Sequence, residues 1–174
     1  MEIAKSSQMN VINTVYRMQT QSLLNVLAGI TEDDAQKRID NKTNSLVWML
    51  GNFSNIRYTI GSVLGLKDVD PYQDLFFMGK AFDATKEYPT LQQLLNSFHD
   101  ISPKVHQALL TVTDEILAQD FPINKGISFM KEDKLNFVIM SLGRADYIRG
   151  QMGLLRRVWD YPSVKYEVDE TIGY

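Results

Sequence analysis

Apolar residues recur at helical intervals in four long stretches, and no stretch alternates with the two-residue period of a half-buried strand. In the first, Ile12, Tyr16, Leu23, Leu27 and Ile30 follow one another at steps of three, four and seven. Gly29 and the acidic Thr31-Glu32-Asp33-Asp34 end it, with Thr31 placed to cap a short following turn. The second stretch runs from about Asn44 to Leu64, with Leu46, Met49, Leu50, Phe53, Ile56, Ile60 and Leu64 on one face and Gly65 as its stop. The third opens at Pro89-Thr90-Leu91-Gln92-Gln93, where Thr90 and Gln93 have the spacing of a capping box. Its stripe is Leu91, Leu94, Leu95, Phe98, Val105, Leu109, Val112 and Ile116, and Pro103 within it predicts a kink or opened turn near Ser102. The fourth runs from about Lys131 to Trp159 through Leu135, Val138, Ile139, Leu142, Met152 and Leu155. Arg156 and Arg157 fall in its last turns, where positive charge complements the helix dipole, and Pro162 prevents its continuation.

The connections are unequal. Residues 66–88 join the second and third stretches by a long crossover rich in aromatics (Tyr72, Phe76, Phe77, Phe82), which predicts a segment packed over the helices to bury those rings. Four helices with one long crossover are a known helical architecture. With no repeat, low-complexity tract or linker, the chain reads as one all-α domain spanning 1–174.

Composition narrows the chemistry. At 174 residues, 44% apolar and 22% charged, the chain has an ordinary globular balance. A net charge of -3 without a basic run argues against a generally basic nucleic-acid binder. The absence of cysteine excludes disulfides, thiolate catalysis and Cys-ligated zinc or iron–sulfur sites. The segment Met1-Glu2-Ile3-Ala4-Lys5-Ser6-Ser7-Gln8 lacks the apolar region of a secretory leader, and the longest wholly apolar run, Leu46 to Leu50, is far short of a membrane span. The expectation is a cytoplasmic protein without a membrane or nucleic-acid partner.

Two stretches carry specific patterns. Asn44-Ser45-Leu46-Val47-Trp48-Met49-Leu50-Gly51-Asn52-Phe53 opens the second helix, and Tyr147-Ile148-Arg149-Gly150-Gln151-Met152-Gly153-Leu154-Leu155-Arg156-Arg157 lies in the fourth. Together with Tyr88-Pro89-Thr90-Leu91, they resemble the DinB/YfiT-like superfamily in order and spacing over nearly the whole chain. The resemblance implies a DinB-like four-helix bundle, commonly a homodimer. In that family a histidine on the second helix and a His-x-x-x-His pair on the fourth bind one divalent metal, often nickel or zinc. An open coordination position then supports metal-dependent hydrolysis or thiol transfer.

Carried over residue by residue, the three ligand positions fall on Asn52, Arg144 and Ile148. A neutral amide is a feeble ligand, an aliphatic side chain cannot ligate, and a guanidinium repels a cation. The expectation is therefore a chain with no metal, no cofactor and no assigned catalytic residue. The former metal positions then become a candidate ligand pocket, with Trp48, Asn55 and Gln151 nearby. Arg144 is the residue suited to hold a small anionic ligand, such as a carboxylate. Asp146 is a conceivable partner for it, although two residues along a helix it points elsewhere. Asn52 and Asn55 stand one turn apart and are expected chiefly to satisfy buried neighbours. Gln151 suggests an interhelical contact or a subunit interface, and Gly150 suggests close helix approach.

His99 and His106, seven apart on the third helix, are expected on one side at the edge of the core, as boundary residues rather than ligands. Asp33-Asp34 and Glu132-Asp133 lie at helix starts, where acids suit the dipole. No serine nucleophile has a histidine nearby in these motifs, and no phosphate-cradling glycine loop is present. The reading is a metal-free, non-catalytic small-molecule-binding or interaction module. The alternative is a metal-independent thiol-transferase-like or hydrolytic enzyme using the same pocket through fixed donors.

Overall fold

Helix α3 (Leu46–Val63) is buried nearly all the way round, polar residues included, and the rest of the chain is wrapped about it. Only Thr59 and Ser62 of its eighteen residues escape burial. A single apolar face, the expectation from its stripe, is therefore replaced by a fully embedded helix. The computed structural model describes residues 3–124 and 126–173. Among these, the chain is all-helical, with one isolated bridge between Asp120 and Asp133 and no strand. No helix among the described residues is long and apolar enough to cross a membrane.

Four long helices define the core: α1 (Ser7–Leu27), α3, α5 (Leu91–Thr111) and α7 (Lys134–Val158). The principal contacts join α3 to α5 and α7, and α1 to α5 and α7, so that α1 and α3 lie across the core from one another. Three short helices, α2 (Glu32–Gln36), α4 (Gln73–Phe76) and α6 (Asp114–Leu117), fill the connections.

Local chemistry sets the boundaries. Thr31 Oγ1 accepts from the Asp34 amide to start α2, and Ser45 Oγ does the same for Trp48 at the head of α3. The capping box at α5 is closed on both sides, Gln93 N to Thr90 Oγ1 at 3.1 Å and Thr90 N to Gln93 Oε1 at 2.9 Å. A carboxylate distant in sequence joins it: Glu32 Oε2 accepts from the Leu91 amide at 2.8 Å. Asp133 caps α7 through Asn136 N at 2.8 Å, so that helix begins three residues later than its stripe suggested.

Three expectations from the periodicity are corrected. The third stripe does not continue to Ile116: α5 ends at Thr111, and Ile116 sits exposed on the separate α6. Helix α5 runs through Pro103 without an opened turn, and the Ser102 carbonyl accepts a hydrogen bond from Tyr16 Oη at 2.7 Å. On α7 the inward residues are Val138, Leu142, Ala145, Ile148, Met152 and Leu155, whereas Ile139 turns to solvent.

Arg156 does not serve its own helix end. Its buried guanidinium crosses to α1, donating from Nη1 to the carbonyls of Val26 and Ala28, while Nε donates to Pro162 O. It thereby satisfies the last carbonyls of α1 and ties down the C-terminal segment. That segment then runs over α1, with Asn25 Nδ2 bonded to Glu167 O and Gln21 exchanging two bonds with the Asp169 backbone.

Candidate functional site

Residues 48, 51, 52 and 55 of α3 share one side of the helix, because steps of three and four return to the same face. The crossover lies against that side. Trp48 Nε1 donates to Lys80 O at 3.1 Å, Asn52 Nδ2 to Phe76 O at 3.0 Å, and Asn55 Nδ2 to Asp70 Oδ2 at 2.7 Å. Asp70 is itself buried; desolvation pushes its carboxyl above the usual range, against the opposing bonds from Asn55 and the Tyr72 amide. Three polar side chains on one helix face thus hold three successive levels of the crossover. Each satisfies a donor that burial would otherwise leave unpaired.

The fourth position on this face has no side chain, and the structure shows why. Phe76, fully buried, lays its ring directly over Gly51; a β-carbon there would stand 2.1 Å from Phe76 Cζ. Of the crossover's aromatics only Phe76 is fully buried; Tyr72 and Phe82 are half-buried, Phe82 stacked on Tyr88 at 4.9 Å, and Phe77 is exposed, contrary to the expectation that all four rings are buried.

Arg144 approaches from α7. Its Nη2 donates to Asn52 Oδ1 at 3.0 Å, so two of the three positions that the resemblance singled out are in direct contact. The guanidinium occupies the space where a side chain at residue 79 would be, Nη2 lying 2.1 Å from an ideal β-carbon on Gly79. Gly79 also has φ +68°, a left-handed conformation that follows Met78 at +57°. Partial desolvation lowers the Arg144 pKa from its ordinary value, but a guanidinium stays charged at neutral pH. No carboxylate among the described residues lies within ion-pair distance of it. Asp146, weighed above as a partner, is instead bonded to Arg149 at 3.0 Å and to Gln19 Nε2 at 2.9 Å.

Ile148, one turn beyond Arg144, is buried in the apolar core. Gln151 is not gathered into this group; its amide reaches only the Tyr147 carbonyl of its own helix, at 3.5 Å. The two histidines also separate. His99 is exposed, whereas His106 is buried and stacked on Tyr16 at 6.0 Å, so the expectation of two equivalent boundary residues does not hold. Among the described residues, no group of three or more His, Asp or Glu side chains is arranged to hold a metal ion.

A second polar group went unread in the sequence. Arg57, in the middle of α3, has no solvent-exposed surface. Its guanidinium lies 3.5 Å over the Tyr16 ring and 5.2 Å from that of Phe53, and Nη2 donates to Gln19 Oε1 at 3.3 Å. Nε and Nη1 have no hydrogen-bond partner. Burial lowers its pKa, opposed by the attraction of Tyr16 and of Asp146. Nothing in the local sequence marks Arg57, since an arginine on a helix is ordinarily a surface residue.

This arrangement makes a stability prediction. A buried cation with two unsatisfied nitrogens and no close carboxylate carries a desolvation cost that a same-length apolar chain avoids. Arg57→Met is expected to leave stability unchanged or raise it by about 1–4 kcal/mol in urea denaturation. A loss above about 2 kcal/mol would show the guanidinium to be a net stabiliser of the core.

Compared with known proteins, the chain finds no counterpart: no protein-family model matches it, and neither does any curated protein or solved structure.

Proposed function

We propose that the chain is a DinB-like four-helix bundle whose metal position has been rebuilt as an anion-binding position, and that it works as a non-catalytic small-molecule-binding module. The carrying observation is the 3.0 Å contact between Arg144 Nη2 and Asn52 Oδ1. An amide oxygen orients the guanidinium without neutralising it, whereas a carboxylate would have done both. The remaining donors of the fork keep their full charge for a ligand. Support also comes from the lower wall: Trp48, Asn52 and the Phe76 ring over Gly51 fix the crossover, so Arg144 rests on a rigid floor rather than a mobile loop. Small carboxylates are the ligand class that matches a planar fork with two parallel N–H bonds.

The test is a melting screen with acetate, succinate and benzoate against chloride at equal ionic strength. At a concentration about ten times the dissociation constant, linkage gives about 1.4 kcal/mol, or roughly 3–6 °C for a chain of this size. Arg144→Ala should abolish that response, and Gly79→Ala, which displaces the guanidinium, should weaken it. A response that survives in Arg144→Ala removes the proposal. The inherited register is checked separately by Asn52→His, Arg144→His, Ile148→His: this triple variant should acquire zinc or nickel affinity. A folded variant without it would mean that these positions never formed a metal site.

A further inference from the structure

Asn13, Arg17, Gln21 and Asn25 of α1 follow one another at steps of four, forming a ridge along the helix, and all four line one cleft of about 1270 Å³. The last two hold the backbone of the C-terminal segment. Asn25 Nδ2 donates to Glu167 O at 2.8 Å. Gln21 Nε2 donates to Asp169 O at 2.7 Å, and Gln21 Oε1 accepts from Asp169 N at 3.0 Å. Four helical residues advance about 6 Å and two residues of extended chain about 6.5 Å, so each rung meets every second residue of this strap. The strap's side chains add little to the hold, since Tyr166 is 87% and Val168 72% exposed. The rungs therefore grip a peptide backbone. An amide side chain suits that task because it carries a donor and an acceptor together.

The ladder is longer than the segment lying on it. Among the described residues, the strap turns aside after Asp169, whose O accepts from Ile172 N at 3.4 Å and whose Oδ1 accepts from Thr171 N at 2.9 Å. Asn13, two rungs beyond Gln21, is 6% exposed, and neither atom of its amide has a hydrogen-bond partner. A buried amide without a partner carries a desolvation cost that a bound backbone would offset. Arg17, between them, is the only charged residue of α1. The strap is acidic at and beside the rungs it meets, with Glu167, Asp169 and Glu170.

We propose that this ridge docks an extended, acidic segment of a partner protein, and that the strap occupies half of the site in its place. The proposal is independent of the ligand assigned to Arg144. The partner's backbone pairs with Asn25, Gln21 and Asn13, the last reached by rotation of its side chain toward the cleft it lines. An acidic side chain of the partner then lies against Arg17. From Asn13 to Asn25 the ridge runs about 18 Å, the reach of about six extended residues. Main-chain hydrogen bonds supply the affinity and charge supplies the selection.

Fluorescence anisotropy with a labelled peptide of about eight alternating Thr and Glu residues tests this on the full chain. Asp169→Pro removes the amide that Gln21 Oε1 accepts from and leaves α1 intact. It should loosen the strap and tighten peptide binding about fivefold, the effect of one hydrogen bond. In that background Gln21→Ala and, separately, Asn13→Ala should each weaken binding about fivefold, with the helical circular dichroism unchanged. Arg144→Ala should leave binding as it was, and a Thr-Lys peptide of equal length should not bind. In the wild-type chain, saturating peptide should expose the Asp169 amide to hydrogen exchange. The proposal is overturned by no binding to the Asp169→Pro chain at millimolar peptide, or by binding no tighter than wild type. Equal binding of the acidic and basic peptides, or full affinity in either alanine variant, overturns it as well.

Discussion

Phe76→Ala is expected to cost about 3–5 kcal/mol and to be the most damaging single truncation in the crossover. Phe76 is fully buried, its ring fills the gap left by Gly51, and its carbonyl is the acceptor for Asn52. Removing the ring opens a cavity between α3 and α4 that the short helix cannot close. Trp48, Asn52 and Asn55 also hold the crossover to α3, and these anchors do not move with the ring. Gly51→Ala attacks the same contact from the opposite side. Its β-carbon overlaps the ring, and the enforced shift should cost about 1–3 kcal/mol. The two effects share one cause, so they should not add: with the ring gone, the methyl group has room. The double variant is expected to be more stable than the sum of the single losses implies by about 1–2 kcal/mol. Urea denaturation of the four proteins measures this. Simple additivity, or a Phe76→Ala loss below about 1 kcal/mol, would mean the ring does not occupy that position.

Arg156→Ala should be nearly as costly, at about 2–5 kcal/mol, for an electrostatic reason rather than a packing one. Three carbonyls, those of Val26, Ala28 and Pro162, take hydrogen bonds from one buried guanidinium. The first two stand at the C-terminal end of α1, where acceptors lack partners within their own helix. The third directly follows Tyr161, whose hydroxyl reaches Asp34 in α2. The side chain therefore joins the ends of α1 and α7 to the C-terminal tail. Arg156→Lys should recover less than half of the loss, since a single ammonium cannot place donors on three acceptors in different directions. Hydrogen exchange would localise the effect: amides of 161–173 should lose protection before those of α3. Equal behaviour of the lysine and alanine variants would mean that neither the stem nor a point charge contributes without the fork. Full rescue by lysine would contradict the fork geometry.

Much of the fold was legible in the sequence, and particular residues show why. The starts of α2 and α5 follow from Thr31 and the Thr90–Gln93 pair, because capping is a contact within a single turn. The stops at Gly29 and Gly65 take left-handed conformations, φ +75° and +100°, which glycine adopts without strain. The aromatic crossover announced its own burial through Phe76. Where the reading failed, the deciding contacts were distant in sequence. Ile139 has the same local spacing as its inward neighbours, and only the position of α1 and α3 around α7 turns it to solvent. Glu32 shows no local sign of capping a helix that begins 59 residues later.

The candidate site divides in the same way. Sequence alone put Asn52 and Arg144 at related positions on two helices, but it gave Arg144 an acidic neighbour as its possible partner. The tertiary structure assigned that acid, Asp146, to Arg149 and Gln19, and gave Arg144 the amide of Asn52 and the empty side of Gly79. Arg57 is the extreme case: a charged side chain in a helix carries no sequence mark of burial, and only the convergence of Tyr16, Gln19 and Phe53 from α1 and α3 encloses it. Periodicity, caps and turn glycines act within a few residues and are therefore written locally. Which charges meet, which faces stay open and what fills the space over Gly51 depend on helices brought together from opposite ends of the chain, and only the packed structure decided them.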